Sequence, residues 1–207
     1  MLRLGDYHTL TVVKHVDFGV YLDGGEAGEI LLPARYVPDG TAVGDRIEVF
    51  IYLDQDEKLI ATTLRPLAKV GEFAWLECAW TNEYGAFLNW GLMKDLFCPF
   101  REQKQRMVRG QRYYVYIMED AKTHRLMATS KVERYQQKSG YELALDFSEV
   151  LLQYLRDNGG RCNLNDKSPA EDIAARFGVS KKVYKKAVGD LYRRRLIALS
   201  EHGIALV

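Results

Sequence analysis

The sequence predicts a multidomain protein in which β domains come first along the chain and an α domain follows. Two small five-stranded barrels precede a helical domain that ends in a hairpin. Three observations predict this fold class. The first part of the chain repeats itself at an offset of 66 residues. Each copy contains five short β-rich segments, and apolar residues at helical spacing begin only at Ser148.

The repeat is clearest at Phe18-Gly19-Val20-Tyr21, which returns as Tyr84-Gly85-Ala86-Phe87. The same offset matches further positions without a gap, among them Gly5 with Gly71, Leu22 with Leu88, Pro33 with Pro99, Gly44 with Gly110 and Asp54 with Asp120. Beyond Asp120 the second copy gains one residue, which falls in a predicted turn. A period of this length indicates a tandem small domain, so we predict domains over 1–66 and 67–133.

Each copy has five segments rich in strand-forming residues, separated by Gly, Pro and Asp residues that favour turns. The strands predicted in the first copy are Tyr7–Val16, Gly19–Leu22, Gly28–Leu32, Arg46–Leu53 and Leu59–Leu64. Those predicted in the second are Phe73–Trp80, Gly85–Trp90, Asp95–Cys98, Arg112–Met118 and Leu126–Ser130. Closure removes the exposed edges of so small a sheet, so we predict that each copy is an OB-type barrel.

The pattern changes after Glu133. We predict a linker over 134–147, because Tyr135–Gly140 is rich in Gln, Lys, Ser and Gly. From Ser148 the apolar spacing predicts a helix that ends at Asn158-Gly159-Gly160.

Two further helices and a hairpin are predicted beyond that turn. Ser168-Pro169-Ala170-Glu171 is typical of a capping box that starts the second helix, and Gly178 ends it. Ser180 is placed to cap a third helix. A hairpin over Ile197–Leu199 and Gly203–Val207 would complete a winged helix over 148–207.

Charge is distributed unevenly, although the formal total is only +1. Lys and Arg against Asp and Glu number 6 and 11 over residues 1–66, 10 and 8 over 67–133, and 13 and 9 over 134–207. A polyanion would be repelled by the first segment and accepted by the other two. No apolar run approaches membrane-spanning length and no basic-then-apolar leader follows Met1, so we expect a cytoplasmic protein.

No catalytic residue, metal site or cofactor is predicted. His8, His15, His124 and His202 are scattered, and Gly24-Gly25 lacks the Lys-Ser/Thr of a phosphate-binding loop. Asp54, Asp56 and Glu57 lie in a predicted turn, where backbone conformation favours Asp. The cysteines Cys78, Cys98 and Cys162 are isolated from one another, which is typical of reduced, buried residues.

Two groups of cations are candidate phosphate contacts. The long connection in the second copy contains Arg101, Lys104, Arg106, Arg109 and Arg112, with Glu102 the one acidic residue among them. The third predicted helix begins with Lys181, Lys182, Lys185 and Lys186, where the helix dipole disfavours positive charge. Phosphate binding is a physical reason for lysines at that end.

The repeated motif resembles the S1 RNA-binding domain. In the first copy the resemblance lies in 17–22, 28–33 and 43–49, and in the second in Tyr84–Leu88 and 108–112. It implies that the aromatics Phe18, Tyr21, Tyr84 and Phe87 stack on bases and that the basic residues Arg65 and Lys131 contact the backbone. A spacing of three cannot place both rings of a pair on one face of a regular strand. One ring of each pair is therefore expected in a loop or at a bulge.

The order of the domains, with Asn165–Pro169 and the basic third helix, resembles the bacterial conserved virulence factor B family. The resemblance implies an RNA-binding protein in post-transcriptional regulation. A further S1 repeat commonly precedes the winged helix in that family, whereas too few residues separate Glu133 from Ser148 here to form one.

We therefore predict a non-catalytic protein that binds single-stranded RNA through the second barrel, with the winged helix extending the site. A double-stranded DNA-binding regulator led by the winged helix is an alternative. An adaptor that contacts the ribosome or the transcription machinery is another. The sequence does not predict the oligomeric state.

Overall fold

The structure, a computed structural model, describes residues 2–135 and 140–207. It confirms the fold class, with two closed five-stranded barrels followed by a winged-helix region. Residues 136–139 of the predicted linker lie outside the described residues. None of the described helices is both long enough and apolar enough to cross a membrane.

The first barrel closes in the strand order β1-β2-β3-β5-β4. Its strands are β1 (Tyr7–Val16), β2 (Gly19–Asp23), β3 (Glu29–Pro33), β4 (Arg46–Leu53) and β5 (Leu59–Thr62). Strand β1 pairs with both β2 and β4, and β3 pairs in parallel with β5. Alternating apolar residues of these strands fill the interior, among them Val20, Leu22, Val49 and Ile51.

The second barrel repeats this topology. Its strands are β6 (Phe73–Thr81), β7 (Gly85–Asn89), β8 (Leu96–Pro99), β9 (Arg112–Glu119) and β10 (Leu126–Thr129). Every strand end lies within two residues of its predicted position. The turn chemistry and the repeat were therefore sufficient to locate the strands.

The glycine of each repeated motif allows two strands to approach closely. A Cβ on Gly19 would lie 2.1 Å from the carbonyl oxygen of Leu32, and a Cβ on Gly85 would lie 2.4 Å from that of Cys98. Any side chain would therefore force β2 away from β3, or β7 away from β8. The motif glycine is a packing requirement in both barrels.

The first barrel packs against the second through outward-facing aromatics. Phe50 in β4 points away from its own interior and lies 5.8 Å, ring to ring, from Trp90 of the second barrel. Tyr7 packs on the same Phe50 ring at 5.2 Å. A salt bridge of 2.8 Å between Asp6 and Lys69 joins the two barrels beside these rings.

The second barrel uses the corresponding outer face to pack against the winged helix. Tyr114 in β9 belongs to the same hydrophobic cluster as the winged-helix core, with its ring 5.5 Å from that of Phe147. Trp75 in β6 contacts Tyr154 and Phe177, with ring centroids 6.1 and 5.8 Å away. The three domains are therefore joined by aromatic contacts.

The winged helix consists of three helices and a small sheet. Its elements are α1 (Gly140–Asp157), β11 (Arg161–Cys162), α2 (Ala170–Phe177), α3 (Lys181–Arg193), β12 (Ile197–Ser200) and β13 (Gly203–Leu206). The predicted hairpin is present as β12 and β13, and β11 adds a short third strand. Ser180 caps α3 as predicted, since its side chain accepts a hydrogen bond from the Val183 amide.

Two predicted details of the helices were wrong. Helix α1 begins at Gly140, eight residues before Ser148, because the intervening sequence is rich in helix-forming residues and includes the fully buried Phe147. Ser168 does not cap α2. Its hydroxyl instead accepts a hydrogen bond from the Asn165 amide, and Pro169 is the N-cap residue.

The close approach at Gly85 gives a stability prediction. Gly85→Ala should destabilise the protein by about 1–3 kcal/mol, because the added methyl group meets backbone atoms that cannot move aside. Gly189→Ala is the matched control. Gly189 is exposed within α3 with open space around it, so alanine should stabilise by about 0.5–1 kcal/mol. Urea unfolding checks both, and equal effects at the two sites would contradict the packing argument.

Candidate nucleic-acid interface

One face of the second barrel has a cluster of four aromatic residues, which we call the aromatic platform: Trp80, Tyr84, Phe87 and Phe97. The rings of Trp80 and Phe87 are parallel within 1° at a centroid distance of 3.7 Å. Phe97 lies 5.0 Å from Phe87 on the adjacent strand. Trp80 and Tyr84 remain 44% and 65% exposed, so their surfaces are open to a planar ligand.

A β-bulge places Trp80 on this face. The register between β6 and β7 shifts between Cys78 and Trp80, so that Trp80 lies directly opposite Phe87. The Trp80 indole N–H then donates to Asp95 Oδ2 at 2.9 Å, which fixes the ring orientation. The loop that carries Tyr84 is held by Asn82, whose Oδ1 accepts hydrogen bonds from the Tyr84 and Gly85 amides.

The expectation that each predicted pair is divided between a loop and a strand is confirmed. Phe18 and Tyr84 lie in the loops before β2 and β7, and Tyr21 and Phe87 lie within the strands. In the first barrel the rings of Phe18 and Tyr21 meet edge to face at 6.3 Å. Phe18 is 57% exposed.

The corresponding face of the first barrel differs from the platform in one important way. Lys14, at the position of Trp80, places its Nζ 4.6 Å from the centre of the Tyr21 ring and pairs with Glu29 at 2.5 Å. The face of Tyr21 is therefore covered by an ion pair. A base that stacked there would have to displace it.

A cleft of about 900 Å³ extends from the platform to the first barrel, and we call it the interbarrel cleft. The first barrel contributes its β4–β5 turn and the strand before it, through Tyr52, Leu53, Gln55 and Glu57. Met93, Lys94, Arg101 and Arg125 line the cleft from the second barrel. Burial lowers the pKa of the Lys94 ammonium, although Glu57 and Asp54 oppose this effect.

The basic connection of the second barrel is more neutralised than its sequence predicts. Glu102 was expected to be its one opposing charge, but the fold brings distant carboxylates to it. Arg101 pairs with Asp120 at 2.7 Å, Lys104 with Glu133 at 2.5 Å and Arg112 with Asp157. Sequence neighbours alone could not show these partners.

The remaining basic residues near the barrels have varied environments. The Arg106 guanidinium lies 3.4 Å from the centre of the Phe100 ring, and Arg109 is exposed. Lys131 donates to the Arg101 carbonyl at 2.6 Å. Arg65 pairs with Glu48 at 2.5 Å and lies over Tyr7, and it does not line the cleft. Of the predicted cations of the barrels, Arg101 is the one that lines the cleft.

Helix α3 presents a row of exposed lysines. Lys182, Lys185 and Lys186 lie on its solvent face, while Val183, Tyr184, Ala187 and Val188 are buried. Within the ranges that the structure describes, no ion pair neutralises these three lysines. Lys181 differs, since its Nζ donates to the Lys167 carbonyl at 3.1 Å. Arg193 and Arg194 pair with Asp190.

The cysteines and the acidic turn have structural explanations. All three cysteines are buried, and burial raises the pKa of the Cys98 thiol to about 12, which keeps it protonated at neutral pH. Asp54 Oδ1 accepts hydrogen bonds from the amides of Asp56 and Lys58, as a turn residue does.

Comparison with known proteins identifies the domains. The S1 domain family model matches residues 4–64, and the CvfB-like winged helix domain model matches residues 149–206. The chain therefore contains an S1 domain and a winged-helix domain similar to that of the CvfB family. Both domain types are nucleic-acid-binding folds, and their presence supports nucleic-acid binding by this chain.

Two known proteins are similar to this chain over almost its whole length. YitL of Bacillus subtilis strain 168, an uncharacterized protein, is 24% identical over 268 residues, covering 93% of this chain and 90% of YitL. A crystal structure of a multidomain protein with nucleic acid binding domains from Streptococcus pneumoniae TIGR4 shares the fold, with a TM-score of 0.54, 19% identity, and coverage of 99% of this chain and 98% of that one. The alignment with YitL is longer than the 207 residues of this chain, by about the length of one barrel.

Two of the four platform residues, Trp80 and Phe97, were not predicted from the sequence. At the offset of the repeat, Trp80 corresponds to Lys14 and Phe97 to Leu31. A search for positions that become aromatic in the second copy would have found both. The bulge that turns Trp80 outward had no such signal.

Asp120 gives a prediction about pH. Hydrogen bonds from the Thr123 and Lys122 amides, with the nearby Arg101, hold the pKa of the Asp120 carboxyl below its usual range. A carboxyl with a lowered folded-state pKa stabilises the protein above its unfolded pKa of about 3.9, and this stabilisation is lost as pH falls through the folded value. Asp120→Asn should therefore lower the free energy of unfolding near neutral pH.

The difference in free energy of unfolding between Asp120→Asn and the wild type should shrink on acidification below about pH 4. Urea unfolding near neutral pH and below about pH 4 measures this difference. Asp39→Asn, in an exposed loop of the first barrel, is the control for charge removal alone. A loss of unfolding free energy in Asp120→Asn that is the same at both pH values would contradict a stabilising role for the ionised Asp120 carboxyl.

Proposed function

We propose that this chain is a non-catalytic protein that binds single-stranded RNA and acts in post-transcriptional regulation. The aromatic platform is the observation that carries the proposal. Its exposed rings offer planar surfaces beside a cleft wide enough for several nucleotides. Every base has a planar π-face, so such a surface accepts a single strand of any sequence.

The platform favours a single strand over a duplex. In a duplex the base faces are stacked on one another, and side chains reach only base edges and phosphates. Trp80 and Tyr84 can contribute their ring faces only to bases that are already unstacked. The exposed lysines of α3 would bind phosphates of either kind of nucleic acid, so they do not decide between the two.

Phosphate contacts are assigned to cations that remain accessible. Arg101 lines the cleft beside the platform, and Arg109 is exposed on the connection that follows. Lys182, Lys185 and Lys186 form a second basic surface on the winged helix. The first barrel contributes little charge of this sign, because its acidic residues outnumber its basic ones.

Replacing exposed platform rings should weaken RNA binding. Trp80→Ala/Tyr84→Ala should cost about 1–3 kcal/mol for each base that stacks there. Phe18→Ala/Tyr21→Ala, which removes the two aromatic rings of the open face of the first barrel, should cost much less because Lys14 and Glu29 cover the Tyr21 ring. Fluorescence anisotropy with a labelled single-stranded RNA measures both variants. Equal losses of RNA affinity in the two variants, or a loss only in Phe18→Ala/Tyr21→Ala, would contradict stacking on the aromatic platform.

The α3 lysines should control the salt dependence. Lys182→Ala/Lys185→Ala/Lys186→Ala should reduce the slope of log K against log salt by up to about 2, because each phosphate contact on a single strand contributes about 0.7. Duplex DNA of equal length is the competing ligand. Tighter binding to the duplex, lost only in the lysine variant, would establish a winged-helix DNA binder instead. No binding to either ligand would favour a protein-interaction adaptor.

A further inference from the structure

The first barrel forms the second wall of the interbarrel cleft. We propose that Glu57, in its β4–β5 turn, accepts a hydrogen bond from the edge of a base stacked on the platform, and so favours bases with an exocyclic amino group over uracil. This inference rests on the proposed function. It adds a specificity residue from a barrel whose own aromatic face is covered by an ion pair.

Two consecutive residues link the turn to the platform. Lys94 donates its Nζ hydrogen to the Asp54 carbonyl in the turn at 2.5 Å. The next residue, Asp95, accepts the hydrogen bond that orients Trp80 at 2.9 Å. The stacking surface and the turn of the other barrel are therefore held in one arrangement, on opposite sides of the same cleft.

Glu57 is positioned as a hydrogen-bond acceptor. It lines the cleft, its side chain is 47% exposed, and its Oε1 pairs with Arg125 of the second barrel. Arg125 fixes the orientation of the carboxylate through one oxygen. No hydrogen bond from the described residues reaches Oε2, which is left for a ligand.

The charge of the turn decides which part of RNA faces it. Asp54, Asp56 and Glu57 lie there with Lys58, and the Glu57 carboxylate has only acceptor oxygens, so it offers a phosphate no hydrogen-bond donor. A base edge carries no net charge. A carboxylate accepts hydrogen bonds and donates none, so it favours an edge that presents an amino group.

Cytosine and uracil separate this effect from stacking. Both are pyrimidines with similar ring area, but cytosine presents an amino group where uracil presents a carbonyl oxygen. A carboxylate accepts from the amino group and is repelled by the carbonyl. Adenine would also satisfy Glu57, but it stacks more strongly than uracil for unrelated reasons, so it is a poorer comparison.

The test is the ratio of affinities for oligocytidylate and oligouridylate of about ten nucleotides, within the length that an OB-type site covers. The wild type should prefer oligocytidylate about tenfold, the effect of one hydrogen bond to a charged acceptor. Glu57→Gln should bring the ratio close to one, because an amide both donates and accepts. The ratio is the measurement, since removing a negative charge raises affinity for every RNA.

Asp56→Asn is the matched control, because it removes the same charge from the same turn at a residue that does not line the cleft. It should keep the wild-type ratio. Three results would overturn the inference: an unchanged ratio in Glu57→Gln, an equal change in Asp56→Asn, or no preference in the wild type. In each case RNA binding that still depends on Trp80 and Tyr84 would leave the proposed function standing. If the wild type binds neither oligonucleotide, both proposals fail together.

Discussion

The packing of the three domains depends on two strands, β4 and β9, whose side chains are buried on both faces of the sheet. In β4 and β9 alternate residues fill a barrel interior, while the outward residues Phe50 and Tyr114 would expose large rings to water if each barrel stood alone. Covering them stabilises the protein by roughly 1.5–3 kcal/mol for each fully buried ring. The second barrel covers Phe50, and the winged helix covers Tyr114. Domain packing is therefore a direct consequence of two outward aromatics.

Each barrel packs through the face formed by its first and fourth strands, which are β1 and β4 in the first barrel and β6 and β9 in the second. The face formed by the second and third strands of each barrel therefore remains open. The two open faces have diverged in chemistry. The first has Lys14 and Leu31 where the second has Trp80 and Phe97, so one carries an ion pair and the other a continuous set of rings. The packing that joins the barrels also brings the β4–β5 turn of the first to the open face of the second. One composite site results from two copies of one fold.

Most of the fold could be predicted because its signals are local. Turn residues and the repeat located ten strands, and the glycines and Ser180 located the ends of α1, α2 and the start of α3. The site could be predicted only in part. Strict alternation from Leu76 and Cys78 would place Trp80 inside the barrel, and only the bulge reverses this. The partners of Arg101, Lys104 and Arg112 come from 19, 29 and 45 residues away, so spacing could not show that these charges are paired.

The central claim is that bases stack on the second barrel, and tryptophan fluorescence tests it most directly. Trp90 also lines the cleft but is only 2% exposed, and Trp75 packs against the winged helix, which leaves Trp80, at 44%, as the exposed tryptophan of the cleft. Titration with single-stranded RNA should quench the emission in proportion to binding. Trp80→Phe should still bind, since phenylalanine also stacks, but its quenching should disappear. RNA binding without any change in Trp80 emission would contradict the account.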